Sequence, residues 1–280
     1  MVYVSTASVQ TDDAAQAVSA LSTSGILSIE LSGGGAHDAG LLEKLMALKR
    51  EKGIVFLVHG YFPPPPEHFI LNFADTGART RQFITGSLGF VSALDAPYYS
   101  IHAGFRKEFT FNNELLYETK GAPCFSLSGI DENISWFKVV NPGTRLVIEN
   151  LYPNNKNIEA CFLMHIGEIT SFIAGRPDVE LLLDLGHLNV SATLLGFNFQ
   201  SAVDRLFTDY AGRIAEIHLS ENHGDTDDHL LLCKDSRQLG IVRETAKIIR
   251  ENGVRLTIEG RGAKMKDVLK SYALVSEAAL

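Results

Sequence analysis

Six apolar runs of this chain each finish on a side chain that can hold a metal ion. GIVFLVHG reaches His59 and APYYSIHAG reaches His102. RLVIEN reaches Glu149, VELLLDLGH reaches Asp184 and then His187, RIAEIHLSEN reaches His218, and VRLTIEG reaches Glu259. A carboxylate behind four apolar residues is costly to bury unless a partner or a cation neutralises it. A strand-end histidine taken singly has a plainer reading as a capping or packed residue, and that reading applies to His59 and His102. Neighbouring runs that end on Glu, Asp, His and Glu form a set, however, and the set reads as a metal site. An Asp227-x-His229 pair follows in the loop after the His218 run, where solvated loop residues are the plain alternative. Oxygen and imidazole donors without thiolate suit zinc, manganese or iron. These nine candidates suffice for up to three divalent ions if Glu149 is shared between two.

The candidates lie between residues 59 and 259, so only a fold that returns strand ends to one rim can unite them. Strand-like and helix-like segments alternate at the spacing such a fold needs. Strands are predicted at 2–5, 26–31, 54–58, 97–101, 145–149, 179–184, 213–219 and 254–259. Helices are predicted at 12–23 (capped by Thr11 or Asp12 and stopped by Gly25), 41–53, 80–95, 131–140, 157–175, 199–210, 236–252 and 263–280. His187 is expected in a turn leaving the sixth strand, and residues 103–130 in a long irregular loop. Eight β–α units whose strands are nearly unbroken apolar runs predict a single (β/α)8 TIM barrel over 1–280, an α/β fold with its site at the strand C-termini. A doubly wound sheet would call for a phosphate-binding G-x-G-x-x-G turn after a strand, and the sequence has none. Gly33-Gly34-Gly35 reads as a tight loop, and the four prolines at 63–66 as a rigid segment at the barrel mouth.

The 280 residues fit one barrel of about 250 residues or two ordinary domains, and 45% hydrophobic content allows a large core. No apolar run is long enough for a bilayer span, and the N-terminus lacks the features of a secretory signal. Cys124, Cys161 and Cys233 are widely spaced and odd in number, which reads as free thiols and a cytoplasmic location. The formal charge of −8 argues against a broad phosphate-gripping surface. Three divalent ions among Glu149, Asp184, Asp227 and Glu259 would still leave a locally positive pocket.

On these ligands the chain resembles the xylose-isomerase-like barrel superfamily and, within it, the endonuclease IV pattern of AP endonuclease family 2. FILNFA at 69–74 is similar to that family's LINLAS stretch, and HLSENHGDTDDH at 218–229 to its HLNDS…DRH. The resemblance implies a trinuclear zinc cluster. His59, His102 and Glu149 would hold one ion, Glu149, Asp184, His218 and Glu259 a second, and His187, Asp227 and His229 a third. The departures are VYVSTAS for the family's G-A-H-V-S-like opening, Asp184-Leu185-Gly186-His187 for D-T-C-H, and Gly60-Tyr61 for Ala-Pro. No arginine-bearing loop follows the first two strands, where the endonucleases probe DNA.

Two activities are expected from this set. One is phosphoester hydrolysis, with Glu149 orienting the ions and taking a proton and with Arg106, Arg261 and Lys264 as phosphate contacts. The other is sugar isomerisation or epimerisation, with Glu149 and Glu259 as both ligands and acid–base pair around one ion and His187 touching substrate. The ligand count favours the first. The expected partner is a small phosphorylated or sugar substrate, or abasic DNA, with no membrane.

Overall fold

The computed structural model describes residues 1–111, 117–153 and 158–280. In chain order its strands are β1 (Val2–Ser5), β2 (Ser28–Leu31), β3 (Val55–His59), β4 (Tyr98–His102), β5 (Glu108–Phe111), β6 (Tyr117–Lys120), β7 (Arg145–Glu149), β8 (Glu180–Asp184), β9 (Ile214–Leu219) and β10 (Arg255–Ile258). β5 and β6 form a separate antiparallel ribbon. The other eight are parallel, each beside the next barrel strand in the chain, and β1 closes the ring against β10. Helices α1 (Ala14–Thr23), α2 (Leu41–Lys52), α3 (Ala78–Ala93), α4 (Leu127–Val140), α5 (Ile166–Ala174), α6 (Leu185–Leu195), α7 (Phe199–Tyr210), α8 (Arg237–Glu251) and α9 (Met265–Ala278) complete the β–α units.

The strands bury both faces, and each face has its own apolar compartment. Outward residues such as Ile29, Val58, Ile101, Ile148, Leu183 and Ile258 pack with the helices into the main core. A second cluster joins Tyr3, Leu57, Tyr98, Val147, Leu182 and Ala215. Strand side chains alternate faces, so residues two apart share one. His59, Glu149 and Asp184 therefore stand on the same face as Leu57, Val147 and Leu182, one layer nearer the strand C-termini. The register levels them across the sheet: His102 pairs with Glu149, and Asp184 with His218. β8 and β9 carry a register irregularity at Leu181/Leu182, which sets Glu216 opposite Leu182.

Several expectations change locally. The cap of α1 is Asp13, whose Oδ1 accepts the Gln16 N–H at 3.0 Å, and not Thr11 or Asp12. Gly25 and Gly53 adopt positive φ just beyond α1 and α2, as helix stops do. The predicted helix at 157–175 begins only at Ile166, capped by His165; the apolar CFLM stretch before it is buried irregular chain. Of the predicted loop at 103–130, β5, β6 and the start of α4 are regular. Residues 112–116 of that loop and 154–157 lie outside the described residues. Tyr61 lines the barrel mouth, Phe62 is buried, and the Phe62–Pro63 bond is cis.

α6 is an addition. It follows β8 without a linker, because Asp184 is both the last strand residue and the helix N-cap, accepting the His187 N–H at 2.6 Å. His187 thus lies in the first turn of a helix rather than in an open turn. Gly186 makes the junction possible: a Cβ there would meet Ser220 Oγ at 2.6 Å and the Ser220 carbonyl oxygen at 3.0 Å. Gly186→Ala is expected to destabilise the fold by about 1–3 kcal/mol through overpacking. Urea unfolding midpoints with an unchanged slope would check this; an unshifted midpoint would contradict it.

Candidate metal centre

The barrel brings all nine predicted ligands to one end, in three groups. His59, His102 and Glu149 form one, Glu149, Asp184, His218 and Glu259 another, and His187, Asp227 and His229 the third, with the ligand atoms of each group within 4.8 Å of one another. Glu149 belongs to two groups. Its Oε2 lies 3.2 Å from both His59 Nε2 and His102 Nε2, and its Oε1 lies 3.3 Å from His187 Nδ1 and 3.8 Å from His218 Nδ1. His218 Nδ1 is also 3.8 Å from Asp184 Oδ2 and 3.1 Å from Glu259 Oε2. His187 Nε2 stands 3.6 Å from Asp227 Oδ2, which pairs with His229 Nε2 at 2.6 Å.

These atoms suit an ion better than they suit each other. Four ligands at about 2.1 Å from a zinc ion are about 3.4 Å apart, close to most of the separations above. Both oxygens of Glu149, Oδ2 of Asp184 and Oδ1 of Asp227 are buried without a hydrogen-bond partner. An orphaned buried carboxylate oxygen is expensive, and a shared cation is the usual remedy. Only the short Asp227–His229 pair would have to part to admit an ion.

Acceptors behind the ligands fix the rings, as such partners do in metal centres. His59 Nδ1 meets Ser100 Oγ at 3.0 Å, His187 Nδ1 meets the Asn150 carbonyl at 2.9 Å, and His229 Nδ1 meets the Glu259 carbonyl at 3.0 Å. Asn150 also braces the end of β8, accepting the Asp184 N–H at 2.8 Å and donating to the Asp184 carbonyl at 3.1 Å.

Two carboxylates of the centre were not anticipated. Glu30 on β2 and Glu216 on β9 are fully buried. Glu30 Oε2 lies 2.9 Å from His218 Nε2. Glu216 accepts from the Tyr98 hydroxyl at 3.0 Å and from Thr257 Oγ1. With Glu149, Asp184, Asp227 and Glu259 they make six carboxyl groups, of which burial raises Glu30 to about 8 in the metal-free protein. The added groups make the positive pocket expected from four carboxylates smaller. The signal was present in sequence: Glu216 is two residues before His218, hence on the same strand face, and Glu30 sits within an apolar run.

Without ions, protons do the balancing. Burial works against a charge on His187 and His218, but Asp184 and Asp227 beside the first and Glu30 and Glu259 beside the second outweigh it, so both are raised well above the usual imidazole value. His229 rises to about 9 against burial, through Glu259 and Asp227. Burial also opposes charge on Glu149, yet His102 and His59 hold it well below the carboxylate range. Burial takes His59 down to about 4 and Asp184 up to about 6.

A cleft of about 750 Å³ opens above the centre. His59, His102, His187, His229 and Glu259 reach it, Tyr61 and residues 68–71 with Phe105 form an aromatic and aliphatic wall, and Thr11, Asp12 and Asp13 face it beside Gly33–Gly35. Asn72 of FILNFA pins that wall, since its Oδ1 accepts the Phe105 N–H at 2.8 Å and its Nδ2 donates to the Phe105 carbonyl at 3.1 Å. Of the three predicted phosphate contacts only Arg261 lines the cleft. Arg106 is held elsewhere: it donates to Glu168 and to the Cys161 carbonyl and stacks on Phe162. Lys264 is the N-cap residue of α9, on a different groove.

No protein-family model matches the sequence, and no curated protein matches it. Among solved structures, a D-tagatose 3-epimerase-like protein is similar at a TM-score of 0.70 and 18% identity, covering 99% of this chain and 96% of its own. AP endonuclease, family 2 from Brucella melitensis is similar at 0.67 and 15%, covering 97% of each chain. A xylose isomerase domain containing protein from Salmonella typhimurium is similar at 0.62 and 10%, covering 99% of this chain and 93% of its own. The chain therefore has the fold of xylose-isomerase-like TIM barrels.

Two outcomes are expected. Asp227→Ala lowers metal content by about one ion per chain while the far-ultraviolet circular dichroism stays native; unchanged content would remove the third group. Metal loading at neutral pH releases protons, because His187, His218 and His229 must give theirs up to bind. Metal affinity should therefore rise with pH across the range in which these histidines hold their protons, which for His229 extends to about 9. A dye-indicator titration in weak buffer reads this, and pH-independent uptake without proton release would contradict it.

Proposed function

We propose that the chain is a divalent-metal-dependent hydrolase of a phosphoester, holding up to three ions, zinc foremost and manganese or iron as substitutes. One observation carries the reading: His187, Asp227 and His229 form a ligand group of their own beside the two that share Glu149. A single-ion enzyme would leave His59, His102, Asp227 and His229 without a task. Clustered ions activate water and neutralise charge on a phosphoryl group in transfer. Glu149, kept anionic against burial by His102 and His59, would fix the spacing of the two groups that share it. Glu259, held down to about 2 by His218 and His229 against burial, keeps its carboxylate at the cleft floor. Arg261 is positioned on the cleft wall to pair with a phosphate oxygen.

The substrate we favour is a small phosphorylated molecule. The loops after β1 and β2 (residues 6–13 and 32–40) contain Asp12, Asp13 and Asp38 and no lysine or arginine. A duplex backbone is gripped by several cations at once, so abasic DNA ranks second. The same acidic rim favours the other reading, a sugar isomerase or epimerase, in which Glu149 and Glu259 move a proton beside a carbonyl and His187 contacts the sugar. The similar structures include both an epimerase-like protein and an AP endonuclease, which supports either chemistry on this frame. Among the described residues no helix is long and apolar enough to cross a membrane. The three free cysteines support a cytoplasmic location, and the closed eight-stranded barrel supports one domain over 1–280.

Metal-loaded protein should cleave a phosphoester from a panel of small phosphomonoesters, phosphodiesters and an abasic oligonucleotide. A chelator should abolish the activity, and Glu149→Gln should lower it about 100-fold or more. Epimerisation of ketoses without any phosphoester cleavage would overturn the proposal in favour of the second reading.

A further inference from the structure

His218 is turned the opposite way from the other histidines whose far sides are braced. The nearest acceptors to Nδ1 of His59, His187 and His229 are neutral, a hydroxyl and two peptide carbonyls at 2.9–3.0 Å, with Glu149 Oε1 farther from His187 Nδ1 at 3.3 Å and Glu259 Oε2 from His229 Nδ1 at 3.7 Å. His218 keeps Nδ1 among Glu149, Asp184 and Glu259 and directs Nε2 at Glu30 Oε2, 2.9 Å away, with Glu216 Oε1 at 3.7 Å. Glu216 is already engaged by Tyr98 and Thr257. Glu30 is fully buried, and its Oε1 has no hydrogen-bond partner. His218 is the group that gives this costly carboxylate a reason to be there.

We infer that Glu30 is a positioning residue of the metal centre: it accepts the Nε2–H of His218, fixes Nδ1 as the ligand atom, and makes the ion between Glu149, Asp184, His218 and Glu259 the one most tightly retained. A carboxylate behind a ligating imidazole orients the ring and makes it a stronger donor, and loss of such a partner weakens metal binding by about 10–100-fold. For His59, His187 and His229 the nearest far-side acceptor is neutral and supplies less, so a hierarchy among the ions follows. The inference rests on the metal centre and not on the reaction. The competing role for Glu30 is direct ligation, since it also groups with His59 and His218. That role needs Nε2 of His218, not Nδ1, to face the ion.

The test is Glu30→Gln, which keeps the side chain's size and an acceptor oxygen but removes the charge. At saturating zinc the ion count should equal that of the wild type. In competition with a graded series of chelators, the Kd of the last-retained zinc should weaken by about 10–100-fold while the weaker ions are unaffected. An unchanged Kd for that ion overturns the inference, and loss of a whole ion at saturation overturns it in favour of direct ligation. Should the variant fail to fold, long-range proton–nitrogen correlation spectra of the zinc-loaded wild type decide the matter. One histidine should coordinate through Nδ1 and carry a downfield-shifted Nε2 proton; coordination of every histidine through Nε2 overturns the inference. Failure to bind zinc at all sinks the metal centre itself, whereas a zinc-loaded protein inert on phosphoesters sinks only the proposed reaction.

Discussion

Carboxylates removed from water have to be neutralised, and this chain gathers six of them at one end of one barrel. An uncompensated buried charge costs several kcal/mol, so such a cluster persists only with cations threaded through it. The histidines supply the first kind of cation by holding protons. The geometry, with most candidate donor atoms about 3.2–3.8 Å apart and four carboxylate oxygens of the three groups left without hydrogen-bond partners, suits the second kind, metal ions.

The barrel meets this constraint through strand periodicity. Parallel strands in register present every second residue to the interior. One layer is an apolar plug of Leu57, Val147 and Leu182, and the next is the ligand set two residues further along the same strands. The loops then add what the strands cannot. Asp184 ends a strand, caps α6 and faces the centre in a single residue, and Asp227 and His229 come from the loop after β9. Polar groups that are not ligands hold the rings in place, Ser100, Asn150 and Glu30 among them.

Much of this is legible in the sequence because the strands are unbroken apolar runs and the ligands interrupt them at their ends. Rules of burial and alternation then suffice to single out His59, Glu149, Asp184 and His218 as candidates that the barrel gathers at one end. Glu30 and Glu216 escape these rules because neither closes its run: Glu216 stands two residues before His218, and Glu30 one residue before the Leu31 that ends β2. α6 was hidden for a different reason. It follows β8 with no turn residue between and is apolar on most of its surface, so it shows no amphipathic stripe. The stretch before α5 erred in the opposite direction, where buried loop residues such as Phe162 and Leu163 look like helix. Arg106 and Lys264 lie close in sequence to strand ends, but nothing in sequence says that Arg106 turns toward Glu168 and Phe162 and away from the cleft. Such orientation is a tertiary property with no local signature.

The central claim is that the barrel end holds a cluster of ions and not a lone one. Elemental analysis of protein purified without chelator and dialysed against zinc tests it most directly. The account predicts three divalent ions per folded chain, one for each of the three groups formed by the nine strand-end and loop candidates. A folded chain that saturates at a single ion, or takes none, would contradict it.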